Sequence, residues 1–500
     1  MSHPQLLQIN TLVLLGELGH TLGRPATLDD LPDALIESLA RDGFDWLWLL
    51  GVWRASPASR QVSRNQPDWR RGFRRDLPDL LEEDISGSPY AIQGYSVRPE
   101  FGGDKALERV RARLARAGVR LMLDFVPNHV SLDHPWVAEH PEFLVEGDAQ
   151  AMAEAPQNYI SLETARGPRV LAHGRDPYFP GWPDTLQLNY RHAGLRAAMI
   201  EQLRSVARRC DGVRCDMAML ILPDVFQRTW GAASLPRDGT APVDSPFWPE
   251  AIAQVRRERP GFAFMAEVYW DLEFALQQQG FDFTYDKRLY DRLREGAARP
   301  VRDHLRAAPD YQRRSARFLE NHDEPRAAAT FPWEVHRAAA VISFLVPGLR
   351  FFHEGQFEGR RHHVSMHLAR RPAEAPDPEV QSFYRRLLAC LRRPEVREGE
   401  WRLCECRPAW EGNGTWDQFI AFTWQGPKGG QLLVVVNDGP VQAQCYLAPG
   451  LPDLSGRKVA LKDLMGEARY ERAGDELAGA GLYLDMGPWA YSVFEVAPSR

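Results

Sequence analysis

Short apolar runs alternate with longer amphipathic stretches from the start of this chain to about residue 395. Apolar runs bounded by turn residues predict strands buried on both faces. We expect strands at 11–17, 44–53, 119–124, 211–216, 262–267, 281–286, 316–321 and 349–354. Eight strands separated by helices predict an α/β fold, a closed parallel (β/α)8 TIM barrel.

Amphipathic stretches between these runs have the features of helices. The first, at 31–42, has Asp30 as a candidate N-cap and Gly43 just beyond its end. Further helices are predicted at 104–117, 194–210 and 247–258. Each leads into one of the predicted strands, as the βα alternation of a barrel requires.

Three long segments interrupt the alternation, and each begins at the C-terminal end of a strand. Residues 54–88 are charged and predict a loop, whereas residues 130–193 are rich in Pro, Gly and aromatic residues and predict a small inserted domain. The third segment is 217–246. Because the C-terminal ends of barrel strands form the active face, all three segments should border the functional site.

The pattern changes from residue 396 onward to short strands separated by Gly and Pro turns. This pattern predicts an all-β sandwich. The expected domains are therefore a catalytic barrel of residues 1–129 and 194–395, an insertion of residues 130–193 after strand 3, and a C-terminal sandwich of residues 396–500.

Four of the apolar runs end in carboxylates. They are LMLDFVPNHV at 121–130, DGVRCDMAML at 211–220, FAFMAEVYW at 262–270 and RFLENHDEPR at 317–326. Polar side chains at the C-terminal ends of parallel strands converge on one edge of a sheet. The sequence therefore predicts a site with several carboxyl groups at the top of the barrel.

Three of these carboxylates suit different tasks in catalysis. Arg214 and Asp216 are two residues apart on a strand and so point the same way, and a guanidinium favours an ionised neighbour. Glu267 ends an apolar strand, where burial should raise the pKa of its carboxyl group and keep a general acid protonated. Asp323 supplies a third negative charge, which would stabilise a cationic transition state.

The four stretches, in this order, resemble the four signature regions of the α-amylase family of glycoside hydrolases. The resemblance implies that Asp216 is the nucleophile, Glu267 the acid and base, and Asp323 the transition-state stabiliser. It implies that Arg214, His129 and His322 bind the glucosyl unit at the cleavage site. Asp124 and Asn128 match positions that shape the site, and in many members the matching Asn also binds calcium.

Two further stretches extend the resemblance. SPYAIQGYSVRPEFGG at 88–103 matches another family region, in which Tyr90, rather than Tyr95, would be the aromatic platform under the sugar. PDTLQLNY at 183–190 matches one more, weakly. The family often has Lys-His three and four residues after the nucleophile, where this chain has Met219 and Leu220. That departure removes a common calcium ligand and argues against a plain endo-amylase. We therefore expect no metal or other cofactor, with calcium as the alternative.

The resemblance implies a retaining enzyme that cleaves α-glucosidic bonds through a covalent β-glycosyl-aspartate. Its substrate would be an α-glucan or maltooligosaccharide. A hydrolase and a glucanotransferase share this intermediate and differ only in the acceptor, so both remain open, with phosphorolysis as a third possibility. The alternative from another class is a catalytically inactive, amylase-like binding or partner protein.

Composition limits the remaining classes. The chain has 61 Lys and Arg against 67 Asp and Glu, a net charge of −6, and no basic tail, so nucleic-acid binding is not expected. Its six cysteines lack the spacing of a zinc site and predict reduced thiols. No signal peptide or membrane span is expected from the sequence, which favours a cytoplasmic protein. The oligomeric state stays open.

Overall fold

Eight parallel strands close into a barrel in the computed structural model, which describes residues 3–164, 167–452 and 456–499. The barrel strands, in chain order, are β1 Gln5–Asn10, β2 Trp46–Leu50, β3 Arg120–Phe125, β4 Gly212–Cys215, β5 Ala263–Ala266, β6 Phe283–Tyr285, β7 Ser315–Arg317 and β8 Leu349–His353. Each strand pairs with the next in chain order, and β8 pairs with β1 to close the ring. The predicted TIM barrel is confirmed, and β1 and β5 lie on opposite sides of it.

Helices cover the outside of the barrel. The principal ones are Asp33–Asp42, Gly103–Arg116, Ala193–Arg209, Trp248–Glu258, Glu273–Gln278, Lys287–Glu295, Ala298–His304, Trp333–Leu345 and Pro378–Leu391. Strands such as β2 are apolar at every position because one face meets the barrel interior and the other meets these helices. Among the helices that the structure describes, none is long and apolar enough to cross a membrane.

The first strand lies earlier than the sequence pattern predicts. Residues 11–17, predicted as a strand, belong to the helix Thr11–Leu22, and the strand is the preceding β1. Asn10 marks the boundary, because its Oδ1 accepts the backbone N–H groups of Leu12 at 3.1 Å and Val13 at 3.3 Å. A short apolar run fits a strand or a buried helix equally well. The N-cap at Asn10 stabilises the helix by satisfying N–H groups of its first turn.

Residues 54–88, predicted as a loop, contain two helices, Pro57–Asn65 and Pro67–Asp76. Both helices begin with proline at the first position, where its missing N–H costs nothing. Ser56 caps the first helix by accepting the N–H of Ser59 at 2.9 Å. The arginine cluster at 70–75 therefore lies on a helix, and the prediction of a loop is wrong.

The segment after β3 carries two small antiparallel pairs of strands. His129–Ser131 pairs with Thr185–Gln187, and Tyr159–Thr164 pairs with Gly167–Ala172. Short helices at Trp136–Glu139 and Ala149–Glu154 complete the segment, and the helix Pro223–Trp230 follows β4. Both segments lie on the face of the barrel where the strands end.

Two antiparallel sheets form the C-terminal region, and the predicted all-β fold is confirmed. The larger sheet has, in spatial order, Glu400–Leu403, Phe419–Gln425, Gln431–Asn437, Tyr491–Pro498, Lys458–Asp463 and Arg469–Ala473, and the smaller has Glu405–Arg407, Ala443–Ala448 and Leu482–Met486. Alternate side chains such as Leu433 and Val435 face the smaller sheet, whereas Leu432 and Val434 pack into the barrel's core. This double burial explains why the strand is apolar throughout.

A buried arginine joins the barrel to this region. Arg350 on β8 donates to the carbonyl oxygens of Phe344 at 3.0 Å, Val396 at 3.2 Å and His3. These partners lie at the end of an outer helix, just before the C-terminal sheets, and at the start of the chain. Trp424 adds a second link, its Nε1 donating to the carbonyl of Leu345 at 2.7 Å.

Candidate active site

A pocket of about 290 Å³ opens where the barrel strands end. The residues that line it are Trp69, Ser88, Tyr90, His129, Trp182, Asp184, Thr185, Asp216, Met217, Glu267, Tyr269, Asp323, Met366 and His367. Five of the residues predicted from the sequence are among them. The other four, Arg214, His322, Asp124 and Asn128, are buried beside the pocket or beneath its floor.

Arg214 holds two of the carboxyl groups together. It lies on β4 with its side chain fully buried, and its Nη1 is 2.6 Å from Asp216 Oδ1 while Nη2 is 2.8 Å from Glu267 Oε2. Burial alone would lower the pKa of Arg214, but the negative charge of Glu267 and its neighbours raises it well above the usual value. The side chain is therefore a fixed cation that bridges β4 and β5.

Glu267 follows β5 directly and is buried. Its Oε2 accepts the N–H of Met217 at 2.7 Å, and its Oε1 is 2.9 Å from the hydroxyl of Tyr269. Met217 has a φ of 43°, a left-handed conformation that is uncommon for a residue with a side chain. Burial raises the pKa of Glu267 to about 8, outweighing the opposing charge of Arg214, as its position in the sequence predicted.

Asp323, on the loop after β7, lies beside His322. The Nε2 of His322 is 3.1 Å from Asp323 Oδ2 and 2.7 Å from the hydroxyl of Tyr90, and its Nδ1 is 2.7 Å from Gln8 Nε2. Because the amide of Gln8 donates, Nδ1 accepts and the ring proton lies on Nε2. Burial lowers the pKa of His322 well below its usual value, so the ring is neutral.

Asp124 supports the floor of the pocket rather than lining it. Its Oδ2 accepts the N–H of Gly51 at 3.1 Å, and its Oδ1 is 4.0 Å from Arg214 Nη1. Burial raises the pKa of Asp124 to about 7.

Tyr95 has a structural role, because its hydroxyl group donates to the carbonyl of Val126 and accepts the N–H of the same residue. Tyr90 is therefore the tyrosine of this region that lines the pocket.

Asn128 is the residue that the resemblance links to calcium, but its neighbours do not fit a cation. The Nε2 of buried Gln187 donates to Asn128 O at 2.9 Å, to Asn128 Oδ1 at 3.0 Å and to Leu188 O at 3.1 Å. An amide donor thus lies among the oxygens that a hard cation would need. Within the described part of the chain, no group of three or more His, Cys, Asp or Glu side chains could hold a metal.

The sequence patterns did not predict several of the residues that line the pocket. Tyr269 had a usable signal, since it is two residues beyond Glu267. Asp184 lies in the PDT stretch that resembles a family region, and its carboxyl group is buried. Trp69, Met366 and His367 come from segments far apart in the chain, and no spacing in the sequence links them.

The pocket lies within a part of the chain that matches a known protein family. Residues 43–369 match the family model described as alpha amylase, catalytic domain, which is more than half of the chain. This protein belongs to the α-amylase family. The matched range includes the whole of the pocket described above, with its three carboxyl groups.

Relatives within the α-amylase family share only part of the chain. An alpha-glucosidase of Culex pipiens is 32% identical over 138 residues, which are 24% of this chain and 23% of that protein. An alpha-1,4-glucan:maltose-1-phosphate maltosyltransferase of Salinibacter ruber is 30% identical over 177 residues, 32% of this chain and 24% of that protein. The matches thus span about a quarter of each relative.

A solved structure matches along nearly the whole chain. The noncanonic maltogenic alpha-amylase AmyB of Thermotoga neapolitana superposes with a TM-score of 0.67 at 18% identity, covering 99% of both chains. At this identity the match shows a shared fold, which includes the C-terminal sheets as well as the barrel.

Proposed function

We propose that this protein is a retaining enzyme that cleaves α-glucosidic bonds, with Asp216 as the nucleophile and Glu267 as the acid and base. The observation that carries the proposal is the buried fork of Arg214, which contacts both carboxyl groups. A guanidinium stabilises a carboxylate anion, the form of Asp216 that attacks. Glu267, with its pKa raised by burial to about 8, keeps the proton that the leaving group needs.

The proton of Glu267 belongs on Oε1. Its Oε2 faces two donors, the N–H of Met217 and the guanidinium of Arg214, and so must accept. Its Oε1 faces the hydroxyl of Tyr269, which can donate or accept. Tyr269 would therefore orient the protonated oxygen toward the leaving group.

The first step forms the covalent intermediate. Asp216 Oδ1 is held by Arg214, so Oδ2 attacks the anomeric carbon of the sugar. The bond from that carbon to the glycosidic oxygen breaks, and Glu267 gives its proton to the departing oxygen. Asp323, beside His322, would stabilise the positive charge that develops on the sugar ring.

The second step regenerates the carboxylate. Ionised Glu267 takes a proton from the acceptor, whose oxygen attacks the anomeric carbon as the bond to Asp216 breaks. Water as the acceptor gives hydrolysis, and a sugar hydroxyl gives transfer. The glucosidase and maltosyltransferase among the relatives show that the family includes both outcomes, so we propose a glycosidase or a glucanotransferase acting on α-glucans or maltooligosaccharides.

The second candidate function is an inactive, amylase-like binding protein. Loss of a catalytic carboxyl group would favour it. Asp216, Glu267 and Asp323 all line the pocket, and this observation supports the enzyme instead.

The stereochemistry of the product tests the proposed mechanism. Two inversions at the anomeric carbon should release the α anomer first. Proton NMR of a fresh hydrolysis of p-nitrophenyl α-glucoside or maltotriose, recorded before mutarotation, distinguishes the two anomers. An initial β anomer would contradict the double displacement. In the same assay, longer products from maltotriose would indicate transfer and shorter ones hydrolysis.

We also propose that the enzyme needs no calcium and works in a reducing, cytoplasmic compartment. The donor position of Gln187 among the oxygens of Asn128 and Leu188 supports the first statement. All six cysteines are buried free thiols, which supports the second. Activity that EDTA abolishes and calcium restores would contradict the first.

A further inference from the structure

We propose that the pocket admits one glucosyl unit, taken from the non-reducing end of an α-glucoside, and that the rest of the substrate leaves on the side of Glu267. This inference rests on the proposed roles of Asp216 and Glu267. The feature that carries it is a wall, formed by residues 56–88 after β2 and residues 355–371 after β8, from which Trp69, Met366 and His367 line one side of the pocket.

The strand order places the wall. Glu267 ends β5, and β1 lies opposite β5 in the eight-stranded ring. The two neighbours of β1 are β2 and β8, the strands from which the wall segments arise. The wall therefore stands across the pocket from the general acid. Because Glu267 protonates the leaving oxygen, the wall faces the opposite end of the bound glucosyl unit, its non-reducing end.

Backbone hydrogen bonds join the two segments of the wall. The N–H of Ser86 donates to the carbonyl of His367 at 2.8 Å, and the N–H of Ala369 donates to the carbonyl of Asp84 at 2.8 Å. Arg370 adds ion pairs to Asp84 at 2.8 Å and Asp79 at 2.9 Å. Segments bonded in this way act as one surface rather than as two separate loops.

The wall also has its own small apolar core. Phe73, Leu77, Ile85 and Leu368 are buried together, with Trp69 packed against them. The rings of Trp69 and His367 lie 4.8 Å apart, and the Nδ1 of His367 is 2.9 Å from Ser63 Oγ. Trp69 and His367, which contact this core, line the pocket together with Met366, so apolar packing supports two of the three pocket-facing side chains from behind.

A buried carboxyl group marks the edge of the wall. Ser59 donates from its hydroxyl to Asp184 Oδ2 at 2.8 Å, which links the wall to the insertion after β3. Asp184 lines the pocket, although the proposed mechanism gives it no step. Its oxygens can accept hydrogen bonds from hydroxyl groups of a terminal sugar. In a continuing chain a glycosidic bond replaces one of these hydroxyl groups, which then cannot donate.

The opposite side of the pocket is aromatic. Tyr269 lines the pocket, and the next residue, Trp270, packs edge-on against Tyr178 with 5.0 Å between the ring centroids. Tyr178 is 59% exposed. Aromatic rings at this edge offer a stacking surface for a leaving group or an acceptor sugar.

The size of the pocket agrees with this arrangement. Its volume of about 290 Å³ lies at the small end of ligand pockets, which span roughly 300–1,000 Å³. The wall on the side opposite Glu267 and the small volume of the pocket together favour α-glucosides with a free terminal glucosyl unit. Internal bonds of a long glucan would require the chain to pass through the wall.

Two chemically matched substrates test the inference. Maltoheptaose carrying p-nitrophenyl at its reducing end is compared with the same molecule blocked at its non-reducing end by an ethylidene acetal. We expect the free chain to shorten by one glucosyl unit per turnover and the blocked chain to react at least ~100-fold more slowly. Comparable cleavage of the blocked chain, or release of maltose from the free end, would overturn the inference.

Variants of the wall make the test specific. Trp69→Ala should raise the rate ratio of blocked to free chain roughly tenfold, because it opens the closed side. Met366→Ala removes a second wall side chain without touching the packing of Trp69 on His367, and should raise the ratio in the same direction. Trp410→Ala, between strands of the C-terminal region and outside the pocket lining, is the matched control and should leave the ratio unchanged. An unchanged ratio in both wall variants would overturn the inference.

The same experiment separates this inference from the proposed function. If the enzyme cleaves α-glucosides but attacks the blocked chain freely, the proposed function stands and the inference falls. If p-nitrophenyl α-glucoside and both heptaosides remain intact, the proposed function fails and this inference fails with it. Cleavage of p-nitrophenyl α-glucoside and of the free chain alone supports both.

Discussion

Two arginines of the barrel, Arg214 and Arg350, are equally inaccessible, with 0% of each residue exposed, yet their surroundings are opposite. Arg214 faces the carboxyl groups of Asp216 and Glu267 at the active end. Arg350 meets only carbonyl oxygens, at the junction with the C-terminal sheets. Burial lowers the pKa of Arg350, whereas at Arg214 the nearby negative charges outweigh burial and raise it.

The difference separates chemistry from stability. Carbonyl groups around Arg350 satisfy its donors and fix three parts of the chain, but they offer no group that can gain or lose a proton. The carboxyl groups around Arg214 can exchange protons, and in the proposed mechanism one of them attacks a sugar. We therefore expect substitutions at the active end to reduce the rate without unfolding the protein, and substitutions at Arg350 to do the reverse.

The largest effect should come from Asp216→Asn. It removes the nucleophile, so turnover of p-nitrophenyl α-glucoside should fall ~10⁴-fold or more. The melting temperature should change little, because buried Arg214 keeps Glu267 as a second carboxyl partner. Both quantities are measured on the same preparation. Full activity, or a marked loss of stability, would contradict the contrast between the two ends.

Glu267→Gln should come next. Loss of the general acid should slow cleavage of unactivated maltooligosaccharides by roughly 10²–10⁴-fold. Glucosyl fluoride needs no protonation of its leaving group, so its first step should be much less impaired. The comparison of the two donors under identical conditions is the measurement. Equal losses with both donors would argue against the role of Glu267 as an acid.

Arg350→Met should have the opposite effect, lowering stability while leaving the rate almost unchanged. It leaves buried carbonyl oxygens without donors, which should lower the free energy of unfolding by roughly 2–4 kcal/mol. The rate at saturating substrate should stay within about twofold of the wild type, since no pocket residue is touched. Arg299→Met, whose side chain is 75% exposed, is the control and should change neither quantity. Denaturant unfolding monitored by tryptophan fluorescence provides the stability measurement.

The pH profile sharpens the same contrast. The acid works when protonated, and burial raises the pKa of Glu267 to about 8, so kcat/KM should hold below that pH and fall above it. The decline should approach about tenfold per pH unit. Glu267→Gln assayed with glucosyl fluoride should lack this alkaline limb, whereas Arg350→Met should keep it. A limb that survives in Glu267→Gln would assign it to another group.

Tyr90 should give the smallest effect. Its ring lines the pocket, and its hydroxyl lies 2.7 Å from His322 Nε2. Tyr90→Phe should cost about 1 kcal/mol of transition-state stabilisation through the lost hydrogen bond, and Tyr90→Ala should cost more because it also removes the ring face. The measurement is kcat/KM for each variant. Equal losses would show that the hydroxyl group, rather than the ring, carries the contribution.

The sequence predicted the barrel and the C-terminal sheets because their strands are short apolar runs with clear turn residues between them. It also predicted the raised pKa of Glu267, since an apolar strand leads directly into that residue. The residues of the two segments that form the wall were not foreseen as a unit. Trp69 and His367 are almost 300 positions apart, and only the closed ring of strands brings them together.

The errors have local causes. The prediction of a strand at 11–17 follows from the apolar residues at the start of the helix Thr11–Leu22, and it overlooks the capping role of Asn10. The helices within 54–88 were missed because charge suggested a loop, although Ser56, Pro57 and Pro67 are ordinary signals of helix starts. The sequence gives no signal for Gln187, since a buried amide that bonds Asn128 has no spacing pattern of its own.

The closure of the barrel by β1 and β8 has a consequence for folding during translation. Gln5 on β1 pairs with Arg350 on β8, so one edge of β1 waits for a partner made 345 residues later. At the usual pace of translation, this wait lasts roughly 20–70 s. During that time the growing chain presents an unpaired, apolar strand edge, the kind of surface that chaperones bind and that drives misassembly. The yield of folded enzyme should therefore respond to the rate of its synthesis.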